Sequence, residues 1–347
     1  MTERRLYLDT GVGENRAVVT LDGRPERLLI ARDGDLAIQA LGARAVARVR
    51  GVERAQGLAF LDLGEGPDAI LNLDPAAARL AEGQAVEVEI RTEARQGKGA
   101  SARLIGPAEG PPRLLAAAPS LEERLRRHEP GAEVRTGKVA RSMADNAQDE
   151  ALQTVFPLPG GGSLAVEPTR ALTAIDVDLG ARAGTEAKRA ARAANFAALA
   201  TAARVLRLKG LGGLVVIDLV GRGHDGPALL AAARAAFGPD NPGVALGPVS
   251  RFGTLELTVP RRARGALDIL TDGAGAPSIL TRALALIRAL EREAAADGGG
   301  RFEALAPPDV AEAAAPALAA LTARLGARLT IRAQPGLAPS AVDVVRR

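Results

Sequence analysis

The sequence predicts an α+β chain built from several units, on three observations. Five short apolar runs separated by turn residues crowd into residues 37–106. After Phe156 the pattern changes to strands alternating with helices, and after the Gly/Pro segment Thr271 to Ser278 a last stretch carries two more helices. With 347 residues and 47% hydrophobic content, the chain can bury two or more cores rather than one.

Taken in order, residues 1–36 read as short strands, RLYLDTG, RAVVTLDG and ERLLIARDG, divided by glycine turns. The runs ARAVARVRGV, GLAFLDLG, DAILNL, QAVEVEI and GASARLIG follow. In QAVEVEI the alternation of Val86, Val88 and Ile90 puts three apolar side chains on one strand face. Five such strands in one stretch fit a small closed barrel, most often an OB-fold. IGPAEGPPRLLAAAPS reads as a Pro/Gly/Ala connector, and LEERLRRHEPGAEV as a short helix followed by a strand. LAVEPTRALTAIDVD supplies two strands, and Thr185 to Lys209 one amphipathic helix. In that helix Phe196, Leu199, Ala203 and Leu206 recur at three- and four-residue intervals and Gly210 is the stop. LGGLVVIDLV is a strand of the buried kind, Pro227 to Phe237 a helix, and GTLELTV a strand. Helices from Ile279 to Ala294 and Asp309 to Leu325, the segment RFEALA and the strand ARLTIRA complete the chain.

Composition excludes whole classes of chemistry. There is no Cys, so disulfides and thiolate metal sites are absent, and only His128 and His224 could offer imidazole. With no long apolar run and no signal-peptide core in MTERRLYLDT, a cytoplasmic protein without membrane contact is expected. The net charge of +4 is unevenly spread: seven Lys or Arg face one acid, Glu186, between Ala181 and Gly210. Four Arg face Glu256 between Arg251 and Arg264. Local excess of this kind suits a polyanion, but taken in isolation a solvated helix face is the better account of such a stretch. Charge alone decides nothing.

Two strands end in acids: Ala174-Ile175-Asp176-Val177-Asp178 and Val215-Val216-Ile217-Asp218. An intervening helix makes this a crossover unit, which predicts parallel strands with Asp176 and Asp218 at one edge. Alternation puts Asp176 and Asp178 on one face. Carboxylates converging without His or Cys suit a hard cation, Mg²⁺ or Mn²⁺. The plainer alternative is that each Asp caps a helix or ends a strand in solvent. The glycines of GVGENR and GKG match neither dinucleotide nor phosphate loops.

The run LAVEPTRALTAIDVDLG resembles the stretch of RNase E/G enzymes that reads approximately IEQTEALTAIDVNTG. ANFAALATAARVLRLKGLGGLVVIDLV and SRFGTLELTVPRR resemble two further blocks of that family, in the same order. The resemblance implies a metal-dependent endoribonuclease acting on single-stranded RNA, with Asp176 and Asp218 as the catalytic magnesium ligands. Asp178 stands where the family has a supporting Asn and is a third candidate ligand. ARVRGVERAQGLAFLDLGEGPDAILNL resembles the family's OB-fold of the S-one type, whose stacking aromatic falls on Phe60; a second aromatic position carries Ile70. ARQGKGASARL places the family's RNA-contacting lysine at Lys98, and Arg251 and Phe252 are candidates for contacts nearer the scissile phosphate.

The resemblance divides the chain at 1–36 and 107–152 (two parts of an RNase H-like subdomain), 37–106 (the inserted OB-fold) and 153–269 (a DNase I-like catalytic unit). Residues 270–280 stand in place of the family's cysteine zinc link, and 281–347 form a small C-terminal domain. No zinc is expected. Indifference to the five-prime end is expected from the short Gly106 to Pro119 connector, and a monomer or a homodimer without a zinc link from the missing cysteines. The rival expectation is an RNA-binding protein of the same fold that has lost catalysis.

Overall fold

Alternating apolar residues and a tight turn build the first sheet. β1 (Arg4–Thr10), β2 (Glu14–Leu21) and β3 (Arg24–Arg32) form an antiparallel meander. Asp22 and Gly23 link β2 to β3 at φ of 50° and 79°, the left-handed pair whose twist matches a two-residue hairpin. The structure is a computed structural model that describes residues 3–73, 79–95, 98–180, 187–238, 243–338 and 343–347.

The five expected barrel strands all form: β4 (Arg44–Glu53), β5 (Leu58–Asp62), β6 (Ala69–Asn72), β7 (Ala85–Thr92) and β8 (Ser101–Pro107). They pair in the order β4-β5-β6-β8-β7, and β7 pairs back onto β4, so the ring closes and leaves no free edge among the five. Only the β6–β8 pair is parallel. Val86, Val88 and Ile90 point inward and meet Ala45, Ala47, Val49, Ala59, Leu61 and Leu71 in a core without aromatic rings.

The connector beyond residue 106 is less irregular than its composition predicts. It carries β9 (Arg113–Ala116), which pairs antiparallel with β4. All four residues are exposed, so the pairing rests on backbone hydrogen bonds and leaves no burial pattern to read. α1 (Leu121–Arg126) follows, opened by a capping box between Ser120 and Glu123. β10 (Val134–Arg135) then joins β1 in parallel. α2 (Gly137–Leu152) has no counterpart in the sequence reading. Its buried face is Ala140, Ala144, Ala147 and Ala151, at helical spacing but with side chains too small to stand out as an apolar stripe.

A second, six-stranded sheet carries the acidic strands. Its strands are β11 (Val155–Pro157), β12 (Ser163–Pro168), β13 (Thr173–Asp178), β14 (Gly213–Asp218), β15 (Ala245–Val249) and β16 (Thr254–Val259), in the order β11-β12-β13-β14-β16-β15. β13 and β14 are parallel, as the crossover predicts, and every other pair is antiparallel. α3 (Ala187–Lys209) and α4 (Gly226–Phe237) pack on the face that holds Ile175, Val177, Val215, Ile217, Leu255 and Leu257. The expected start of α3 at Thr185 lies outside the described residues. Gly210 ends α3 at φ 67°, and a Cβ there would come within 2.5 Å of the Gly265 Cα, so the stop is also a close crossing.

α5 (Ala266–Leu270) packs into the core of the first sheet and α2, and the last unit comprises α6 (Ile279–Ala296), β17 (Phe302–Ala306), α7 (Pro308–Leu325), β18 (Leu329–Ala333) and β19 (Asp343–Arg346), with strand order β18-β17-β19. No helix among the described residues is long and apolar enough to cross a membrane.

One carboxylate fastens the barrel to the second sheet. Glu93, just past β7, accepts from the backbone N–H of Leu41 (3.1 Å) and of Arg264 (2.7 Å), and its own N–H donates to the Arg262 carbonyl (2.8 Å).

Candidate active site

The acidic strands position their carboxylates by simple alternation. On β13, Ile175 and Val177 enter the core while Asp176 and Asp178 face solvent; on β14, Val215 and Ile217 enter and Asp218 stays out. The parallel register sets Asp176 directly opposite Asp218. Neighbouring strands lie about 4.8 Å apart, so the two carboxylates share one spot on the open face of the sheet. Their flanking neighbours in register are the smaller Ala165 on β12 and Thr254 on β16. Among the described residues neither aspartate has a hydrogen bond or ion pair. Glu167 and Glu256, also exposed, sit one rung away on the same face and deepen its negative potential.

Asp178 lies one rung beyond, opposite Ser163. Its Oδ1 accepts from the Gly180 N–H at 2.9 Å. Among the described residues no three His, Cys, Asp or Glu side chains are grouped to hold a metal. The donor set here is therefore two carboxylates, all oxygen. That fits a hard divalent cation completing its shell with water and phosphate.

A turn closes one side of this spot. Between β15 and β16 the Ser250 hydroxyl accepts from the N–H of Phe252 and of Thr254, both at 3.2 Å. Leu219, next to Asp218, donates its N–H to the Gly253 carbonyl at 3.0 Å. The turn thus holds Phe252 76% exposed, with the Arg251 guanidinium 4.6 Å from its ring centre. Gly253 stands at φ 88°, and a Cβ there would sit 3.1 Å from His224 Nε2. Asp176, Asp218, Arg251 and Phe252 therefore belong to one neighbourhood.

Phe60 and Lys98 belong to the barrel instead. Phe60 is half-buried on the outer face of β5, beside Gly51 and Ile70 on the adjoining strands. Lys98 is exposed in the β7–β8 connection, and its backbone bridges to Arg95 in both directions (2.7 and 2.9 Å).

The sequence reading passed over a cavity of about 390 Å³ at the carboxyl ends of β13 and β14. Lys188, Arg192, Asn195, Phe196, Arg222 and His224 line it. Asn195 is buried and holds both backbone groups of Val220, donating to its carbonyl and accepting from its N–H, each at 3.0 Å. Arg192 lies over the Phe196 ring at 5.3 Å and pairs with Asp225 at 3.0 Å. The Ala228 N–H first, and Arg192 second, hold the Asp225 carboxyl below its ordinary pKa. The available signal was positional: ligands favour the crevice beyond the carboxyl ends of parallel strands.

The Ribonuclease E/G family profile matches residues 115–262. The chain is similar to ribonuclease E of Buchnera aphidicola (from Acyrthosiphon pisum), 31% identical over 174 residues, which is 47% of this chain and 19% of that protein. Ribonuclease E of Escherichia coli is 30% identical over 174 residues, 47% of this chain and 16% of its own length. Ribonuclease G of Salmonella typhimurium is 26% identical over 215 residues, 58% of this chain and 44% of that protein. The matches thus span less than half the length of each of these relatives.

Proposed function

Because the chain belongs to the RNase E/G family, we propose that it is a magnesium-dependent endoribonuclease that hydrolyses phosphodiester bonds in single-stranded RNA. The observation that carries this reading is the in-register pair Asp176 and Asp218, two solvent-facing carboxylates without partners among the described residues. An acid pair of this kind repels itself, and a divalent cation offsets that repulsion. Magnesium fits the oxygen-only donor set; manganese fits it too, and zinc is not expected where no thiolate exists. When bound, the ion supplies Lewis acidity toward the phosphate and lowers the pKa of neighbouring water.

The chain's own residues do the rest. Asp176 and Asp218 fix where the ion binds, and Asp178, tied to Gly180, adds charge one rung away. Arg251 offers a cation to the phosphate that is cut, and the exposed Phe252 ring a surface for a base. Water attacks phosphorus and the bond to the three-prime oxygen breaks, leaving a five-prime phosphate and a three-prime hydroxyl. On the barrel, Phe60 stacks a base and Lys98 meets the backbone, as strands two and three and the fourth connection of an OB-fold do. The closed ring with its parallel third and fifth strands supports the OB-fold reading of residues 37–106. On this reading residues 1–36 and 107–152 are the RNase H-like subdomain, 153–269 the DNase I-like unit, and 281–347 the small terminal domain. The setting is RNA processing or decay in the cytoplasm, by a monomer or a dimer without a zinc link.

The experiment is cleavage of an end-labelled single-stranded RNA with and without Mg²⁺, with EDTA as the control. Magnesium-dependent internal cuts are expected. RNA bound tightly but left whole at every Mg²⁺ and Mn²⁺ concentration would establish the rival, an RNA-binding protein that has lost catalysis.

A further inference from the structure

The cavity at the carboxyl ends of β13 and β14 is cationic and sits beside the acidic pair rather than within it. Val220, which lines it, lies two residues beyond Asp218, about 7 Å of extended chain. Among the described residues three cations reach it, Lys188, Arg192 and Arg222, against one acid, Asp225. Arg192 is partly neutralised by that acid, whereas Lys188 and Arg222 have no ion-pair partner among the described residues. Its floor is rigid, because Asn195 locks the Val220 backbone from a buried position on α3. His224 lines the cavity and also abuts Gly253 of the Arg251–Phe252 turn, with a shielded Nε2 that makes no hydrogen bond among the described residues. One wall is thus shared between the cavity and the turn at the acidic pair.

We propose that this cavity is a second RNA subsite, which holds a backbone phosphate of the substrate strand next to the bond that is cut. The charge pattern is what carries it. A strand crossing the end of the sheet meets carboxylates where an ion must mediate, then free cations where a phosphate can bind directly. The Phe196 ring with Arg192 over it offers the attached base an apolar and cationic surface. The inference deepens the nuclease reading and rests on it.

The test uses the full chain, the double variant Lys188→Ala/Arg222→Ala, and a fluorescent single-stranded RNA. Binding is measured in EDTA across a salt series, and cleavage in Mg²⁺. The variant should bind about tenfold more weakly, as for loss of charge-assisted hydrogen bonds. Its slope of log K against log salt should be shallower by about 0.7 for each lost phosphate contact on a single strand. KM should rise with kcat nearly unchanged, since the contact is the same in ground and transition states. Parent-like affinity, slope and KM in a variant of parent-like melting temperature would overturn the subsite while leaving the nuclease reading intact. Failure of the parent itself to bind or cut RNA would sink both, and only that result touches the broader reading. Phosphorus NMR with inorganic phosphate provides the last arm. Phosphate binding abolished in the variant, with RNA binding unchanged, would mean a small-anion site and would also overturn the proposal.

Discussion

Two acid-bearing regions of this chain solve opposite problems. Where the first sheet meets α2 and α6, the buried carboxylates Asp9 and Glu14 are answered by arginines. Arg16, 1% exposed, pairs with Asp9 at 2.6 Å and Asp145 at 2.8 Å and donates to Gln148 at 3.1 Å. Glu14 is held between Arg32 (2.8 Å) and Arg288 (2.7 Å). On the open face of the second sheet, Asp176 and Asp218 sit opposite each other, and among the described residues no arginine pairs with either. With 45 Lys and Arg in the chain, cations are not scarce. The difference fits the proposed reading, in which an acid pair left bare in a chain able to neutralise it takes its counter-charge from outside.

The comparison breaks most easily in the buried cluster. Arg16→Met should destabilise the fold by about 3–5 kcal/mol, because it leaves the buried Asp9 with only its longer contact to Arg141, 3.3 Å. Urea unfolding measures it, and a loss under about 1 kcal/mol would mean that the cluster is wetter than its burial implies.

Lys209 supplies an intermediate case, a buried cation that meets carbonyls rather than carboxylates. Its Nζ donates to the carbonyls of Ala151 (2.8 Å) and Gln153 and lies 5.3 Å from the Phe156 ring centre. Burial pushes its pKa down to about 8 from 10.5, with Glu150 opposing. Between those two values the unfolded chain keeps a proton that the folded chain has released. Stability therefore rises with pH across that window, by up to about 3 kcal/mol; below it the full cost of the buried charge is present and no longer varies with pH. Comparing urea midpoints near pH 7.5 and pH 10 for the parent and for Lys209→Met isolates the effect. Identical pH dependence in the two proteins would count against it.

The bare pair should behave in the reverse manner. Asp176→Asn or Asp218→Asn is expected to lower kcat by at least about 10²-fold, the scale of a lost electrostatic stabiliser. Thermal stability should hold or improve, since a repulsion is relieved. Near-parent cleavage in either variant, with contaminating nuclease excluded, would remove the metal-site proposal.

Smaller effects separate the barrel from the sheet. Phe60→Ala should weaken RNA binding by about 1–3 kcal/mol, while Lys98→Ala should cost all sequences alike and flatten the salt slope by about 0.7. Titration by fluorescence anisotropy distinguishes them; parent-like binding in both would make the barrel a spacer. Smallest of all, five-prime monophosphate and hydroxyl RNAs should be cut at rates within about tenfold of each other, roughly 1.4 kcal/mol. A larger monophosphate preference would reveal a terminal-phosphate pocket unaccounted for in the Gly106 to Pro119 connector.

What was legible in the sequence follows from side-chain size and alternation. The acidic strands could be read because Ile175 and Val177, and Val215 and Ile217, mark the inner face so plainly that the acids define the outer one. The ring was legible for the same reason, through Val86, Val88 and Ile90. α2 was not, since alanines at positions 140, 144, 147 and 151 bury little and contrast weakly with their neighbours. β9 lacked any signal because pairing by exposed backbone leaves no mark on residue choice. The cavity escaped for a different reason. Lys188, Asn195, Arg222 and His224 lie on a helix and a loop far enough apart in sequence that only the crossover brings them together.

The clasp at Glu93 has a metric consequence. Its carboxylate and amide tie the barrel's β7–β8 connection to the segment leaving β16, so the barrel that carries Phe60 and Lys98 is hydrogen-bonded to the sheet at this point. A strand gripped by the barrel would then meet the acidic pair at one set number of nucleotides from its anchor. The molecule would act as a gauge, placing its cuts by length from the grip, and loosening Glu93 would blur the product ladder before it slowed the reaction.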